Sequence, residues 1–140
     1  MLRRTLLKGM AATAAGGLAR PAIAADTTLK IGCSLPLTGA GFTAVGRELT
    51  GAIKVYMQQH GDTVAGRKIE LIVRDDAGVA DNAHRLVQEM IVNDQVEIVG
   101  AGITPCTLAI AQLVTEAKKV TFSMSSGVHS MASWLAISFG

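Results

Sequence analysis

Apolar residues in this chain form short runs separated by longer stretches in which they recur with a different period. The runs at residues 29–35, 68–74 and 120–124 are short and end at turn-forming residues, which is typical of strands. A fourth run, 96–101, is almost continuously apolar, as expected for a strand in the middle of a parallel sheet. Residues 134–139 predict a fifth strand.

Between these runs, apolar residues recur every three to four positions, the period of an amphipathic helix. The first helix is predicted from about residue 44 to residue 60, with Gly61 as its stop. Its apolar face consists of Leu49, Ile53, Tyr56 and Met57. Asp81 is the predicted N-cap of a second helix, and Pro105 opens a third.

Strands and helices therefore alternate three times before the fourth strand. This order predicts the α/β fold class, with a doubly wound parallel sheet and right-handed crossovers. Ligands of such sheets bind outside the carboxyl ends of the strands. Those ends are the loops 36–46, 75–81, 101–106 and 124–131, where we expect the functional residues.

The start of the chain has the layout of an export signal. A basic segment, MLRRTLLK, precedes a weakly apolar stretch that is too short to span a bilayer. Small residues then allow cleavage after Ala24 or Ala25. The Arg3-Arg4 pair, with Arg20 near the cleavage site, favours the twin-arginine route. An ordinary amphipathic N-terminal helix is the alternative.

A signal peptide at residues 1–25 changes the charge that matters. Four of the thirteen Lys and Arg residues lie there, and none of the eleven Asp and Glu residues does, so the net charge of +2 becomes −2 for residues 26–140. No basic patch remains that would indicate nucleic-acid binding. We expect the export machinery to recognise the leader and the rest of the chain to be periplasmic.

Cysteine and histidine spacings give no sign of a metal or a cofactor. Cys33 and Cys106 have neither metal-site nor CxxC spacing. They could pair in an oxidising compartment, although two buried free thiols are the simpler interpretation. His60, His84 and His129 lie far apart, with no partner at i, i+4. No cofactor is predicted.

Motifs for catalysis are weak. Gly100-Ala101-Gly102 lacks the third glycine of a dinucleotide fingerprint and follows the third strand rather than the first. Ser125, Ser126 and His129 suggest a nucleophile, but no supporting acid is identifiable, and a polar loop is the simpler interpretation. Asp75-Asp76 suggests paired carboxylates. More simply, both are solvated turn formers at a strand end.

Hydroxyl groups in the same loops suggest binding without covalent chemistry. Thr104 lies at the start of the third helix, where backbone N–H groups and the helix dipole attract a carboxylate. Ser125 and Ser126 follow a neighbouring strand. Together they could hold the carboxylate and ammonium of a small zwitterion, although hydroxyls at loop–helix junctions are also common helix caps.

Four segments in order resemble the type I periplasmic solute-binding proteins of ABC transporters, the leucine/isoleucine/valine-binding group. They are KIGCSLPLTGAGFTAVG at 30–46, GRKIEL at 66–71 followed by Asp75-Asp76, residues 96–111 and residues 119–126. The resemblance implies two lobes that close on a small-molecule ligand, an amino acid, amide or related solute, for an ABC permease in the inner membrane. It places Thr104 at the hydroxyl that contacts the ligand carboxylate. It places Ser126, with Ser125 beside it, near the backbone that holds the ligand.

The chain also departs from this resemblance. Val45 stands where an aromatic residue often lines the pocket, with Phe42 as the available substitute, and Gly78 and Ile103 occupy the positions of a disulfide found in some members. Amides, urea and aromatic acids therefore stay open beside branched-chain amino acids. Because members are much longer, the resemblance implies a truncated product, a partial N-terminal lobe at 26–140.

The sequence thus predicts the substrate-binding component of an ABC importer for amino acids or related small polar solutes, and not an enzyme. Two alternatives stay open. One is an exported α/β enzyme that uses Asp75, Asp76 or His129. The other is a one-lobe sensor domain with no transport role.

Overall fold

The computed structural model of the chain describes residues 28–39 and 41–125. The expected signal peptide, the candidate residues Ser126 and His129, and the predicted strand at 134–139 lie outside these residues. The described strands are β1 (Thr28–Leu35), β2 (Thr63–Val64), β3 (Arg67–Asp75), β4 (Ile98–Ala101) and β5 (Val120–Ser123). The described helices are α1 (Thr43–His60), α2 (Ala80–Glu89), a π-helical turn at Met90–Asp94 and α3 (Thr104–Glu116).

β1 is the central strand of a sheet with the order β2-β3-β1-β4-β5. It pairs in parallel with β3 and β4, and β4 pairs in parallel with β5. The predicted α/β fold with a doubly wound parallel sheet is therefore confirmed. The one antiparallel strand among the described residues is β2, which pairs with the start of β3 through a two-residue turn. Both turn residues, Ala65 and Gly66, have positive φ angles, as tight hairpins require.

Handedness places the helices on opposite faces of the sheet. The chain passes from β1 to β3 through α1 in one direction, and from β3 to β4 through α2 in the other. Right-handed crossovers that run in opposite directions lie on opposite faces. α2 and α3 therefore cover one face, and α1 covers the other.

The core lies between the sheet and the α2–α3 pair. Apolar residues of α2 recur with the helical period and point to the sheet, as the sequence pattern predicts. The buried cluster consists of Ala83, Val87, Met90, Val96, Val99, Ala101, Ile103, Cys106, Ile110 and Val114. Among the described residues, no helix is long and apolar enough to cross a membrane.

Three local predictions need correction. Asp81 does not cap α2 but lies in its first turn, because the Ala83 N–H already bonds to the carbonyl of Val79, which is the N-cap. The strand predicted from Val96 begins at Ile98. The Gln95 N–H donates to the carbonyl of Met90 and closes the π-helical turn, and the Val96 N–H donates to the same carbonyl, so the chain is not yet extended at Val96.

The third correction concerns α1. Tyr56 was expected on its apolar face but is 63% exposed and stacks on the His60 ring, with centroids 4.2 Å apart. Leu49, Ile53 and Met57, the other predicted apolar positions, are half-buried.

Candidate functional site

The sheet order locates the crevice where a ligand would bind. From β1 the chain passes to β3 on one side of it, and from β3 it crosses over to β4 on the other side. The strand order therefore reverses between β1 and β4, which is the topological switch point. At the carboxyl ends of these strands, the loop that begins at Pro36 faces the loop of Gly102 and Ile103. The segments after β3 and β5 flank this pair of loops.

Glycines allow the two loops and α1 to approach one another closely. A Cβ on Gly46, in the first turn of α1, would lie 2.2 Å from the carbonyl oxygen of Pro36. A Cβ on Gly102 would lie 2.9 Å from Cδ of Pro36 and 3.0 Å from Cδ2 of Leu35. Real Cβ atoms essentially never come within 3.0 Å of such neighbours, so a side chain at Gly46 would collide with backbone and one at Gly102 would force the Pro36 ring to shift.

Asp75 ties the loop after β1 to the end of β3. Its Oδ1 accepts hydrogen bonds from the N–H groups of Leu37 (2.9 Å), Thr38 (3.1 Å) and Ala77 (2.9 Å). Its Oδ2 accepts one from the hydroxyl of Thr38 at 2.6 Å. Partial desolvation raises the pKa of Asp75, but the Thr38 hydroxyl and the three N–H groups outweigh it and hold the pKa below its ordinary value.

Asp76 faces the interior, so the expectation that both aspartates are solvated turn formers is wrong for this one. Its side chain is fully buried because its partners lie inside the molecule. The Ser34 hydroxyl donates to Oδ2 at 2.7 Å and the Gly78 N–H donates to Oδ1 at 2.8 Å. The Asp76 carboxylate also lies close enough to Cys106, in the first turn of α3, to help raise the pKa of that thiol. The two neighbouring aspartates therefore serve different elements and are not arranged as a catalytic pair.

α3 begins directly at the crevice. Its N-cap is Ile103, which offers no side-chain cap, and its first turn contains no acidic residue. Thr104 is the first residue of the helix and is half-buried. Because the N-terminus of a helix carries a partial positive charge and N–H donors, this arrangement favours an anion.

Ser125 lies at the same edge, beyond β5. β5 runs parallel to β4, and the Met124 N–H donates to the carbonyl of Ala101, so the loop after β5 lies beside the loop before α3. The buried Thr107 hydroxyl lies 3.4 Å from the Ser123 hydroxyl, which further joins α3 to β5. Ser125 is exposed. Thr104 and Ser125 are therefore brought to one edge, as predicted.

An apolar group lies on the other side of the crevice. Phe42, the N-cap residue of α1, is 48% exposed, and Val79 is 47% exposed. Phe42, Ile103 and Pro36 meet around Gly78, because a Cβ there would lie 3.7 Å from Ile103 and 3.9 Å from each of the other two. A ligand at the N-terminus of α3 would thus meet an aromatic ring and polar donors.

The remaining candidates do not join this site. Cys33 and Cys106 are buried free thiols. Burial raises the pKa of Cys33 to about 11, partly offset by a backbone hydrogen bond at Gly100. Burial and the Asp76 carboxylate raise the pKa of Cys106 to about 12. His60 ends α1 at the opposite end of that helix. Within residues 28–39 and 41–125, no group of three or more His, Cys, Asp or Glu side chains is placed to hold a metal ion.

Known proteins resemble this chain in sequence and in structure. A Leu/Ile/Val-binding protein homolog from Brucella abortus is 29% identical over 125 residues, which are 87% of this chain and 31% of that protein. A solute-binding protein of an ABC transporter from Rhodopseudomonas palustris BisB5, solved in complex with 3,4-dihydroxybenzoic acid, is 44% identical. The match covers 78% of this chain and 30% of that one, with a TM-score of 0.75.

A second structure supports the same assignment. A solute-binding protein of an ABC transporter from Rhodopseudomonas palustris HaA2, in complex with p-hydroxybenzoic acid, is 28% identical, with a TM-score of 0.71. It is matched over 76% of this chain and 29% of its own length, so the chain spans about a third of the relatives it matches. The sequence also matches the family described as periplasmic binding protein over residues 28–136. The chain therefore belongs to the periplasmic binding protein family and has the architecture of a type I lobe.

Proposed function

We propose that this chain supplies one wall of the ligand cleft in the substrate-binding component of an ABC importer, and that its ligand is a small organic carboxylate. Family membership supports a solute-binding role and a periplasmic location. The observation that carries the ligand class is the N-terminus of α3. It opens at the switch point without a side-chain cap or an acidic residue in its first turn.

Two kinds of carboxylate fit this wall. One is a branched-chain amino acid, which is among the ligands that the sequence leaves open and is in keeping with the name of the Brucella relative. An aromatic carboxylate is the second candidate, supported by the half-exposed ring of Phe42 and by the dihydroxybenzoate complex of the 44% identical protein. The described acidic groups at this edge favour the second. Asp75 already accepts four hydrogen bonds and Asp76 is buried, so neither is placed to pair with a ligand ammonium.

Calorimetry on the purified chain tests the proposal. Leucine, isoleucine, 3,4-dihydroxybenzoate and 4-hydroxybenzoate are titrated in turn, with urea as a ligand that lacks a carboxylate. We expect heat with the aromatic acids. Thr104→Val should weaken their binding about tenfold, the effect of one lost hydrogen bond to a charged group. Thr115→Val is the matched control, because its hydroxyl bonds only within α3 at an exposed position.

The outcomes separate the candidates. Binding of leucine without binding of an aromatic acid would reject the aromatic assignment and favour the amino-acid prediction. Binding of neither, or equal effects of the two threonine variants, would contradict the carboxylate site. Turnover of any of these compounds would contradict a purely binding role and favour the exported-enzyme alternative.

The export route is a separate part of the proposal. We propose that residues 1–25 direct the chain through the twin-arginine route, with the permease as its partner after export. Replacing both Arg3 and Arg4 by Lys should retain the chain in the cytoplasm of a bacterial host, as measured by cell fractionation. N-terminal sequencing of the exported form should show cleavage after Ala24 or Ala25. Unchanged export of the double variant would favour the general secretory route.

A further inference from the structure

Asp75 makes more hydrogen bonds than an exposed carboxylate at a strand end needs. Its side chain is open to solvent, yet both oxygens are occupied by partners from the loop after β1 and from its own turn. Three of the four donors are backbone N–H groups, which hydrate poorly when a loop packs against protein. This carboxylate therefore organises a segment of backbone.

The register of the sheet explains why the loop needs this partner. Leu35 is the last residue of β1 to pair with β3, and its pairing partner is Asp75 itself. Leu37 and Thr38 continue beyond the ladder. The Leu37 N–H is shared between the carbonyl of Leu35 at 3.0 Å and Oδ1 of Asp75 at 2.9 Å, and the Thr38 N–H donates to the same Oδ1 at 3.1 Å. The Asp75 side chain thus extends the connection between the two segments by two residues.

Further contacts link Thr38 to the start of α1, which lies at the crevice. Gly39 has a φ angle of +89°, and a Cβ on it would lie 2.7 Å from the carbonyl oxygen of Ala77, so the two loops also touch directly. The Thr43 hydroxyl donates to the carbonyl of Gly39 at 2.7 Å. Thr43 begins α1 directly after Phe42. A continuous set of contacts therefore joins Asp75 to the aromatic side of the crevice.

Asp76 makes the complementary connection on the inner side. Its carboxylate accepts a hydrogen bond from Ser34 at the end of β1 and lies close enough to Cys106, in the first turn of α3, to help raise the pKa of that thiol. Asp75 thus holds the loop that leads to Phe42, and the next residue, Asp76, lies against the helix that begins at Thr104. These two segments supply the aromatic ring and the anion-binding N–H groups of the site.

We propose that Asp75 is a positioning residue for the ligand: through Leu37 and Thr38 it sets the place of Phe42 relative to the N-terminus of α3. This inference rests on the proposed function and makes it more specific. Asp75 contacts no ligand in this scheme. Its effect on affinity is exerted through the loop.

A graded set of variants tests the inference. Asp75→Ala removes both acceptors, Asp75→Asn keeps an oxygen for the backbone N–H groups, and Thr38→Val removes only the hydroxyl bond. Asp81→Asn is the control, because Asp81 is an exposed acid in the neighbouring turn of α2. For each variant, amide hydrogen exchange at Leu37 and Thr38 is followed by NMR on the full chain, and the affinity for 3,4-dihydroxybenzoate is measured by calorimetry.

We expect Asp75→Ala to accelerate exchange at Thr38 more than at Leu37, because the Leu37 N–H also donates to the Leu35 carbonyl, and to weaken binding about tenfold. Asp75→Asn should restore most of the protection and most of the affinity, which a general loss of stability would not do. The inference is overturned if Asp75→Ala leaves the Thr38 amide protected, or if it weakens binding no more than Asp81→Asn does.

Failure of the proposed function gives a different result. If the unmodified chain binds no aromatic or aliphatic carboxylate, the proposed ligand class is wrong, whatever the amides show. Exchange at Leu37 and Thr38 then still decides whether Asp75 holds the loop, since that measurement requires no ligand.

Discussion

The two faces of the sheet are covered to very different extents. The face under α2 and α3 contains Val99 and Ala101, both fully buried, and the two helices contribute half of the buried cluster. The face under α1 buries Cys33 and Leu35 of the central strand, but it leaves Val120 and Phe122 of β5 45% and 57% exposed. In α1 itself only Gly46 is buried. All three helices are amphipathic, so a helical period in the sequence does not reveal how completely a helix will pack.

This difference also separates two ways of holding the binding loops. α3 reaches the crevice from the well-packed face, so apolar burial fixes its first turn. The loop from Pro36 to Phe42 reaches it from the thinly packed face. It depends on the Asp75 hydrogen bonds and on the close approach of Gly46 to Pro36.

Removing one apolar side chain from each face should give the largest contrast. Ile110 is fully buried in the cluster, so Ile110→Ala should lower the free energy of unfolding by about 2–5 kcal/mol. Ile53 is only half-buried in α1, so Ile53→Ala should lower it by about 1 kcal/mol or less. Urea unfolding followed by circular dichroism measures both. Similar losses would show that α1 packs as tightly as α3.

The attachment of α1 gives the next largest effect. Gly46→Ala would bring a methyl group to 2.2 Å from a backbone oxygen, so the first turn of α1 must move, at about 1–3 kcal/mol. Gly51→Ala, five residues later in the same helix, meets nothing within 4 Å. Because alanine favours helix more than glycine does, Gly51→Ala should stabilise the protein by roughly 0.5–1 kcal/mol. Equal effects of the two variants would contradict the close contact at Pro36.

The sequence predicts the fold well where the period of apolar residues is decided by burial. The four parallel strands, the three helices and the α2 face of Ala83, Val87 and Met90 all follow from that pattern. It fails where hydrogen bonds outside the pattern decide. β2 is two residues long and has no detectable period, and the π-helical turn ends with bonds from the Gln95 and Val96 N–H groups to the Met90 carbonyl.

The sequence predicts one part of the candidate site, the part that follows from the order and direction of the strands. Topology alone places Thr104 and Ser125 at one edge, because parallel strands end together. Alternation along a strand predicts that Asp75 and Asp76 point to opposite faces of the sheet, but it does not say which of the two is buried and finds partners inside the molecule. The signal in the sequence for the Asp75 contacts is the Thr38 hydroxyl, which lies in a loop that faces two neighbouring acids. It becomes informative only once β1 and β3 are known to be neighbours.

The two thiols report opening of each face separately. Cys33 lies on β1 on the same side as Val73, beneath α1, whereas Cys106 lies in α3. With pKa values raised to about 11 and about 12, both are protonated at pH 8, and burial keeps reagents away. Labelling then requires local opening, which is easier on the thinly packed face. We expect Cys33 to be labelled at least about tenfold faster than Cys106, a difference of about 1.4 kcal/mol in opening free energy.

Mass spectrometry of peptides after timed labelling distinguishes the two sites. Faster labelling of Cys106 would show that α3 detaches before α1 and would reverse the comparison. Equal rates that match global unfolding would show that the faces open together, as one cooperative unit.

The smallest effect is expected at the exposed edge. Phe122 is 57% exposed on β5, which is the last strand on its side of the described sheet. Phe122→Thr should change the free energy of unfolding by no more than about 0.5 kcal/mol, because little apolar area is lost from the interior and threonine suits a strand. It should nevertheless reduce self-association, since an exposed apolar edge strand promotes pairing between molecules. Light scattering at several concentrations measures the second effect, with the half-exposed Leu108→Thr in α3 as a control away from the edge. A large loss of stability in Phe122→Thr would mean that this side chain is packed in solution and that the face under α1 is better covered than its exposure indicates.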